Sequence, residues 1–563
     1  MVPRLFLILG LALRVSSEFF KNPNFEINHF SENDGWYCRG CHVELSSQRM
    51  EGQHSAKITK RTDGSWSGIA QNVKVPAHAK LLLKMKIRLL NNSPGKIYHK
   101  VMVEMYTEDS HGHKYYTISE VNHMQSNTEW QELGAAFNGP GYVHLFRLYI
   151  LIPEKEVDYL IDEASLTEIP ALSSNWRAEA DLRIDQIRKA DIHISLAAGV
   201  SGSGYSVEIQ QLRSEFAFGC MVKTWMWGHD DQKVYRDYFY NNFEWTVPEG
   251  GLKWPHIEPH RGHEDFSALT ALDDMRKHGI KVRGHNLFWS NVPDWIKSLS
   301  GNDLKTAMYN HLKSTVSHTK GKVEHWDVYN EVLHDDYFAD KLHDPNITAW
   351  MFNEVHKLDP HVKLFLNEWG VINTAHSTIA YYNRAKFLKD AGVPIKGMGL
   401  QSHLGSSVDI QLMQARVNQL ARVGLPLWVT ELRWENTNNH QKAMDMADTL
   451  RMYFSHPAIH GILLWGFSPH MNKPKGVLAE GTNLTPNEAG KMWTKLWKQD
   501  WRTHETHTLY NGLKVRGFKG DYSLKIKHGS TVIHEKTFTL GSHGQNLRVD
   551  GVGSKPSHST LIG

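Results

Sequence analysis

Between residues 216 and 505 eight short apolar runs recur in order: FAFGCMV, NFEWTV, IKVRGHNLFW, VEHWDVYN, VKLFLNEW, IKGMGLQSHL, LPLWVTEL and HGILLWGF. Between them lie mostly helical patterns such as FSALTALDDMRKHG, TAWMFNEVHKLD and STIAYYNRAKFLKDAG. Strand alternating with helix implies parallel strands joined by right-handed crossovers. Eight repeats in about 290 residues fit a closed (β/α)8 barrel. The alternative is an open doubly wound sheet, but no glycine-rich phosphate loop follows the first run.

The flanks read differently. Residues 18–168 carry the strand-like stretches AKITKR, LLLKMKIRLL, VMVEMYTE, HKYYTISEV and VHLFRLYILI, separated by Gly, Asn, Pro and Ser turns. That pattern predicts a β-sandwich. Residues 169–215 read as a connector, with a helix over NWRAEADLRIDQIRKAD and two strands around a Gly/Ser turn. Residues 506–563 read as a small β appendix whose last dozen residues are disordered. Residues 1–17 have Arg4, an apolar stretch from Leu5 to Leu13 and small residues at Val15, Ser16 and Ser17. This is the order of a signal peptide, too short to span a bilayer, and it implies a secreted protein.

Charge narrows the class further. The 63 Lys and Arg residues nearly balance 60 Asp and Glu, a net +3. That leaves no electrostatic footprint for nucleic acid and no basic stretch for a membrane surface. A monomer with neither partner is expected. The three cysteines are Cys38, Cys41 and Cys220. CRGC fits a redox pair, half a zinc site or a local disulfide, but no second CxxC or matching histidine spacing follows. In an oxidising compartment the expectation is a Cys38–Cys41 bond, with Cys220 free and buried. No metal or other cofactor is expected. Sequons stand at Asn91, Asn346 and Asn483.

In a barrel, side chains at the C-terminal ends of the strands face one pocket. Glu331 follows the fourth run and Glu431 ends the seventh. Either alone could simply cap a helix. Together at one mouth, two carboxylates suggest glycoside hydrolysis, with one protonated to assist the leaving oxygen and the other ionised to attack the anomeric carbon.

The motifs HWDVYNE, LWVTEL, RGHNLFW, GLQSHL and LLWGF resemble glycoside hydrolase family 10, whose members are mainly endo-β-1,4-xylanases. The likeness covers roughly residues 210 to 500. It implies that Glu331 is the acid/base and Glu431 the nucleophile, with retention of configuration. It implies further that Asn330 clamps a sugar 2-hydroxyl and that His285 and Trp289 floor the central subsite. Gln401 and His403 would surround the nucleophile, Trp465 would pack on a sugar face, and Glu249 and Lys253 in PEGGLKW would bind sugar on the non-reducing side. Trp369 and Trp434 are possible pocket walls, and Trp254 reads as structural. The stretch NPNFE…GW…HSAKITKRTDGSWSGIAQNV resembles carbohydrate-binding modules of families 4/9 and 22. In it Trp66 and Tyr149 are candidate stacking aromatics, and Trp130 reads as core.

The chain also departs from the family. Gly250 replaces an asparagine in PEGGLKW, the loop SNVPDW lacks a usual histidine, and the usual TELD is TELR. The family's aspartate orients the histidine beside the nucleophile, and Arg433 cannot accept that bond. Pointing inward, Arg433 would favour ionised Glu431; pointing outward, it leaves His403 short of a partner. The leading expectation is therefore an endo-xylanase acting on a β-1,4-linked plant polysaccharide. The alternatives are an endo-β-1,4-glucanase or dual enzyme, and a catalytically weak glycan-binding protein.

Overall fold

The computed structural model describes residues 17–126, 129–229, 232–470 and 476–551. Residues 1–16 of the expected signal peptide and the expected disordered tail lie outside the described residues.

Eight parallel strands form the barrel: Ala217–Val222, Trp245–Pro248, Lys281–Phe288, His325–Asn330, Lys363–Glu368, Ile395–Leu400, Leu427–Trp434 and Ile459–Leu464. The eighth pairs with the first, Leu463 opposite Gly219, so the sheet closes. Each of the eight apolar runs supplies one strand. The sixth run does not stay in one piece, because Ser402 adopts a left-handed φ of 59°. The chain then pairs again with the seventh strand at His403–Leu404.

The barrel interior is filled by Ala217, Met221, Trp245, Val247, Phe365, Trp428 and Leu463. Large rings there require small neighbours. A Cβ on Gly397 would come within 2.1 Å of the Phe365 ring, and one on Gly461 within 2.5 Å of Trp428. Polar groups are interleaved with these rings, His325 against Phe365 and Trp428 and Arg283 over Phe365, and the residues at the strand ends face the mouth. Outside, Asp409 caps the helix Ile410–Ala421 by accepting from Leu412 N, and Asn438 caps Asn439–Phe454 by accepting from Gln441 N. Each such cap is worth about 1 kcal/mol. The second helix turns Ala443, Met446, Leu450 and Tyr453 inward at helical spacing.

The N-terminal sandwich has two five-stranded sheets. One orders Trp36–Arg39, Gly68–Asn72, Leu145–Leu151, His99–Asp109 and Gly112–Met124. The other orders His42–Ser46, Ser55–Thr59, Tyr159–Glu168, Lys80–Leu89 and Gln131–Asn138. Cys38 and Cys41 are disulfide-bonded where the chain leaves the first sheet for the second, and Cys220 is free and buried. The sandwich docks on barrel helices. Arg416 donates from Nε and Nη2 to Ala136 O (3.0 and 2.8 Å) and from Nη1 to Ile372 O (2.7 Å). Lys80 pairs with Asp409 at 2.7 Å.

The connector and the appendix, separate pieces in the sequence reading, form one unit. Lys189–Leu196 lies between Leu513–Phe518 and Gln545–Val549. Tyr205–Ser214 lies between His504–Thr508 and Gly520–His528, and Thr531–Leu540 extends that sheet. Ile192, Ile194, Val207 and Ile209 from the connector share a core with Tyr522, Leu524 and Ile526 from the appendix. Two strands alone could not bury an apolar face, so each half completes the other.

Candidate active site

The strand ends bring Glu331 and Glu431 into one network of side-chain amides. Asn367, at the end of the fifth strand, sets its orientation. Its Oδ1 accepts from Thr430 Oγ1 (2.6 Å), which leaves Nδ2 to donate to Asn330 Oδ1 and Glu431 Oε1, both at 2.9 Å. Gln401 Nε2 reaches Glu331 Oε1 at 3.0 Å and Asn330 Oδ1 at 3.5 Å. Trp289 Nε1 donates to Glu331 Oε2 at 2.9 Å. Asn330, Asn367, Gln401 and Glu431 are buried, whereas Glu331 is partly open to solvent.

The two carboxylates sit in different fields. Burial pushes the Glu431 carboxyl up. The hydrogen bond from His403 and the charges of His285, His403 and Lys253 outweigh that, and the group is lowered to about 2. Asp327 stands behind His285, with its Oδ2 2.9 Å from Nδ1, and it also holds the fully buried Arg283 through a fork of two donors. Such a buried pair is kept by geometry and by the cost of leaving either charge alone.

Arg433 resolves in favour of the second alternative. It pairs with Glu435 at 3.5 Å. His403 Nε2 lies 3.2 Å from Glu431 Oε2, and its buried Nδ1 has no partner among the described residues. His403→Ala removes the donor that lowers Glu431. The nucleophile's role expected of Glu431 requires its ionised form, so with that role the acid limb of kcat/KM moves to higher pH in this variant while the basic limb stays. An unchanged acid limb would show that His403 does not tune Glu431.

The remaining expected residues line the same mouth. Lys253 Nζ stands 4.9 Å from the centre of the Trp289 ring, and Glu249 pairs with Lys223 at 3.5 Å. Trp465 presents its ring edge-on to His285 (5.6 Å) and His403 (6.4 Å). Trp369 is 43% exposed and stacks on His334 at 4.0 Å, so it can form a wall. Trp434 cannot, being 1% exposed: strand alternation puts it on the face opposite Glu431, where it packs into the core. Trp254 is buried and stacks on His311.

Sequence reasoning gave Asn367, Asp327 and Lys223 no role. Asp327 had a visible signal, a carboxylate inside an apolar run four residues before Glu331. Glu368 is also held: burial pushes its carboxyl up, and it accepts from Leu333 N and Trp369 N, both at 3.0 Å. Among the described residues no group of three or more His, Cys, Asp or Glu side chains could hold a metal ion. No helix among them is long and apolar enough to cross a membrane.

In the sandwich, Trp66 is 44% exposed beside the disulfide turn. Tyr149 is only 4% exposed, because it packs with Tyr37, Ala70 and Leu151 and the Arg39 guanidinium covers its ring at 5.3 Å. It is not the open platform expected. Tyr106 and Tyr115, with ring centres 5.0 Å apart, belong to neighbouring strands of the same sheet. Trp130 is not core either; it lines a cavity of about 580 Å3 between sandwich and barrel, with Tyr98, Tyr382 and Phe387.

Residues 209–481 match the sequence model of Glycosyl hydrolase family 10. The chain is 28% identical to Endo-1,4-beta-xylanase 1 of Arabidopsis thaliana, over 92% of this chain and 57% of that protein. It is 30% identical to Endo-1,4-beta-xylanase 3 of the same plant, over 73% of this chain and 55% of the relative. It is 31% identical to Anti-sigma-I factor RsgI6 of Acetivibrio thermocellus, over 64% and 47%. The chain thus spans about half the length of these curated relatives.

Proposed function

Because the barrel of this chain belongs to glycosyl hydrolase family 10, we propose that the protein is a secreted, endo-acting, retaining hydrolase that cleaves internal β-1,4 bonds of xylan. The observation that carries this reading is the pair of carboxylates, from the fourth and seventh strands, tied into one amide network with Glu431 ionised.

Glu331 delivers a proton to the glycosidic oxygen while Glu431 attacks the anomeric carbon from the other face. The first sugar fragment leaves and a glycosyl ester forms on Glu431. Glu331, now ionised, takes a proton from water, which attacks the same carbon and restores the β configuration. Asn330, with its oxygen engaged by Asn367 and Gln401, presents amide donors to the 2-hydroxyl. Lys253, Glu249 and Lys223 serve the non-reducing side. The sandwich holds glycan through Trp66 and the tyrosine-bearing sheet beside it. The Cys38–Cys41 bond fits an oxidising compartment.

The test is product analysis on xylan, carboxymethylcellulose and an aryl cellobioside, with the anomer of the first product read by NMR. Short β-configured xylo-oligosaccharides are expected. Preferential cleavage of the glucan substrates would move the assignment to an endoglucanase. His403 Nδ1, which has no partner among the described residues, favours one further reading, a glycan-binding protein with little turnover; binding of xylan with no products would establish it.

A further inference from the structure

The loop that begins at Glu331 is held from two sides, and only one of them is the barrel. Glu331 itself has a φ of 60°, left-handed backbone that a non-glycine residue keeps only when its surroundings impose it. From the barrel side, Glu331 N donates to Asn367 O (2.8 Å) and Leu333 N donates to Glu368 Oε2 (3.0 Å). Tyr329 Oη donates to Asp335 O at 3.2 Å.

From the other side the N-terminal sandwich closes on the same loop. Asn122, on the strand Gly112–Met124, donates from Nδ2 to Leu333 O at 2.7 Å. The next residue, His123, pairs through Nε2 with Asp336, and its ring meets Tyr98 edge-on at 4.7 Å. Tyr98 Oη in turn donates to Pro345 O at 2.7 Å. Glu120 N donates to His376 O at 2.8 Å. Leu333 is therefore gripped at both backbone polar groups, its N–H by the barrel and its carbonyl by the sandwich, two residues past Glu331. The Oδ1 of Asn122 is buried without a partner among the described residues, so the bond to Leu333 is the polar contact that side chain makes there.

We infer that Asn122 is a positioning residue for the reaction: the sandwich, through Asn122, fixes the acid/base loop so that Glu331 lies in line with the leaving oxygen. The inference rests on the assignment of Glu331 as the acid/base. It makes the sandwich part of the machinery that sets the rate of glycosidic bond cleavage on soluble substrates too small to reach any second glycan site. A docking contact with no such role would tie the two units together and leave proton delivery untouched.

The two are separable through the leaving group. Dinitrophenolate leaves a 2,4-dinitrophenyl β-xylobioside without protonation, whereas the phenol of a phenyl β-xylobioside needs a proton on its oxygen to leave. In the full chain, Asn122→Leu lowers kcat/KM about tenfold on the phenyl substrate and leaves the dinitrophenyl substrate within twofold, the size expected when one fixing hydrogen bond is lost. Asn122→Asp, which keeps the shape but offers no donor at neutral pH, gives the same selective loss. Thermal unfolding establishes that each variant is folded. An equal loss on both substrates, or no loss on either, overturns the inference. Glu331→Ala is measured on the same pair: if it too fails to discriminate between them, the acid/base assignment itself is wrong, an outcome distinct from failure of Asn122 alone.

Discussion

Replacing Glu431 by alanine removes turnover of xylan, lowering kcat/KM by about 10⁴-fold or more, the scale on which loss of a covalent nucleophile is felt. The protein still folds, because the site loses a charge whose partners reach water or one another: His403 is partly exposed, and Asn367 keeps its bonds to Thr430 and Asn330. Azide restores part of the activity by entering the space the carboxylate leaves. It attacks the face opposite the departing oxygen, so the product is the α-glycosyl azide. NMR of that azide is the decisive measurement. A β-azide, or full activity in the variant, would remove Glu431 from the nucleophile's role.

Glu331→Ala has a different signature. The variant loses roughly 10²–10⁴-fold in kcat/KM on xylan, the usual contribution of a positioned general acid. On a dinitrophenyl glycoside the first step survives, and the glycosyl-enzyme accumulates because no base activates water. A burst followed by slow turnover is the expected time course. Azide now attacks the ester from the open face and yields the β-glycosyl azide. Opposite azide anomers from the two variants would assign both roles. The structure gives the reason for the division. Glu431 is buried, with the His403 hydrogen bond and the neighbouring charges keeping it ionised, whereas Glu331 is partly open to solvent, where water and a leaving oxygen can reach it.

How far these features could be read from sequence depends on whether local pattern carries them. The eight strands could be read because each is a short apolar run bounded by turns, and Glu331 and Glu431 because they end such runs. Asn367 ends another, yet nothing in LFLNE says that Thr430 will aim its amide. The union of connector and appendix was invisible because partners more than 300 residues apart, such as Ile192 and Val515, leave no local trace. Tyr149 shows a second limit: alternation predicts the face a side chain takes, not that Arg39 will lie across it. Arg433 stands out in TELR, but that it pairs with Glu435 does not. The contacts of Asn122 and His123 belong to an encounter between two units, which neither pattern encodes.

The interleaving of connector and appendix also bears on how the molecule comes off the ribosome. Strands Lys189–Leu196 and Tyr205–Ser214 emerge before the barrel, but their mates after residue 504 follow it. Ile192, Ile194, Val207 and Ile209 must therefore wait, uncovered, while some 290 residues are translated and fold. The barrel's own closure, by bringing its first and eighth strands together, is what delivers the late strands to the early ones. Synthesis of the strands after residue 504 thus acts as the clasp on this unit.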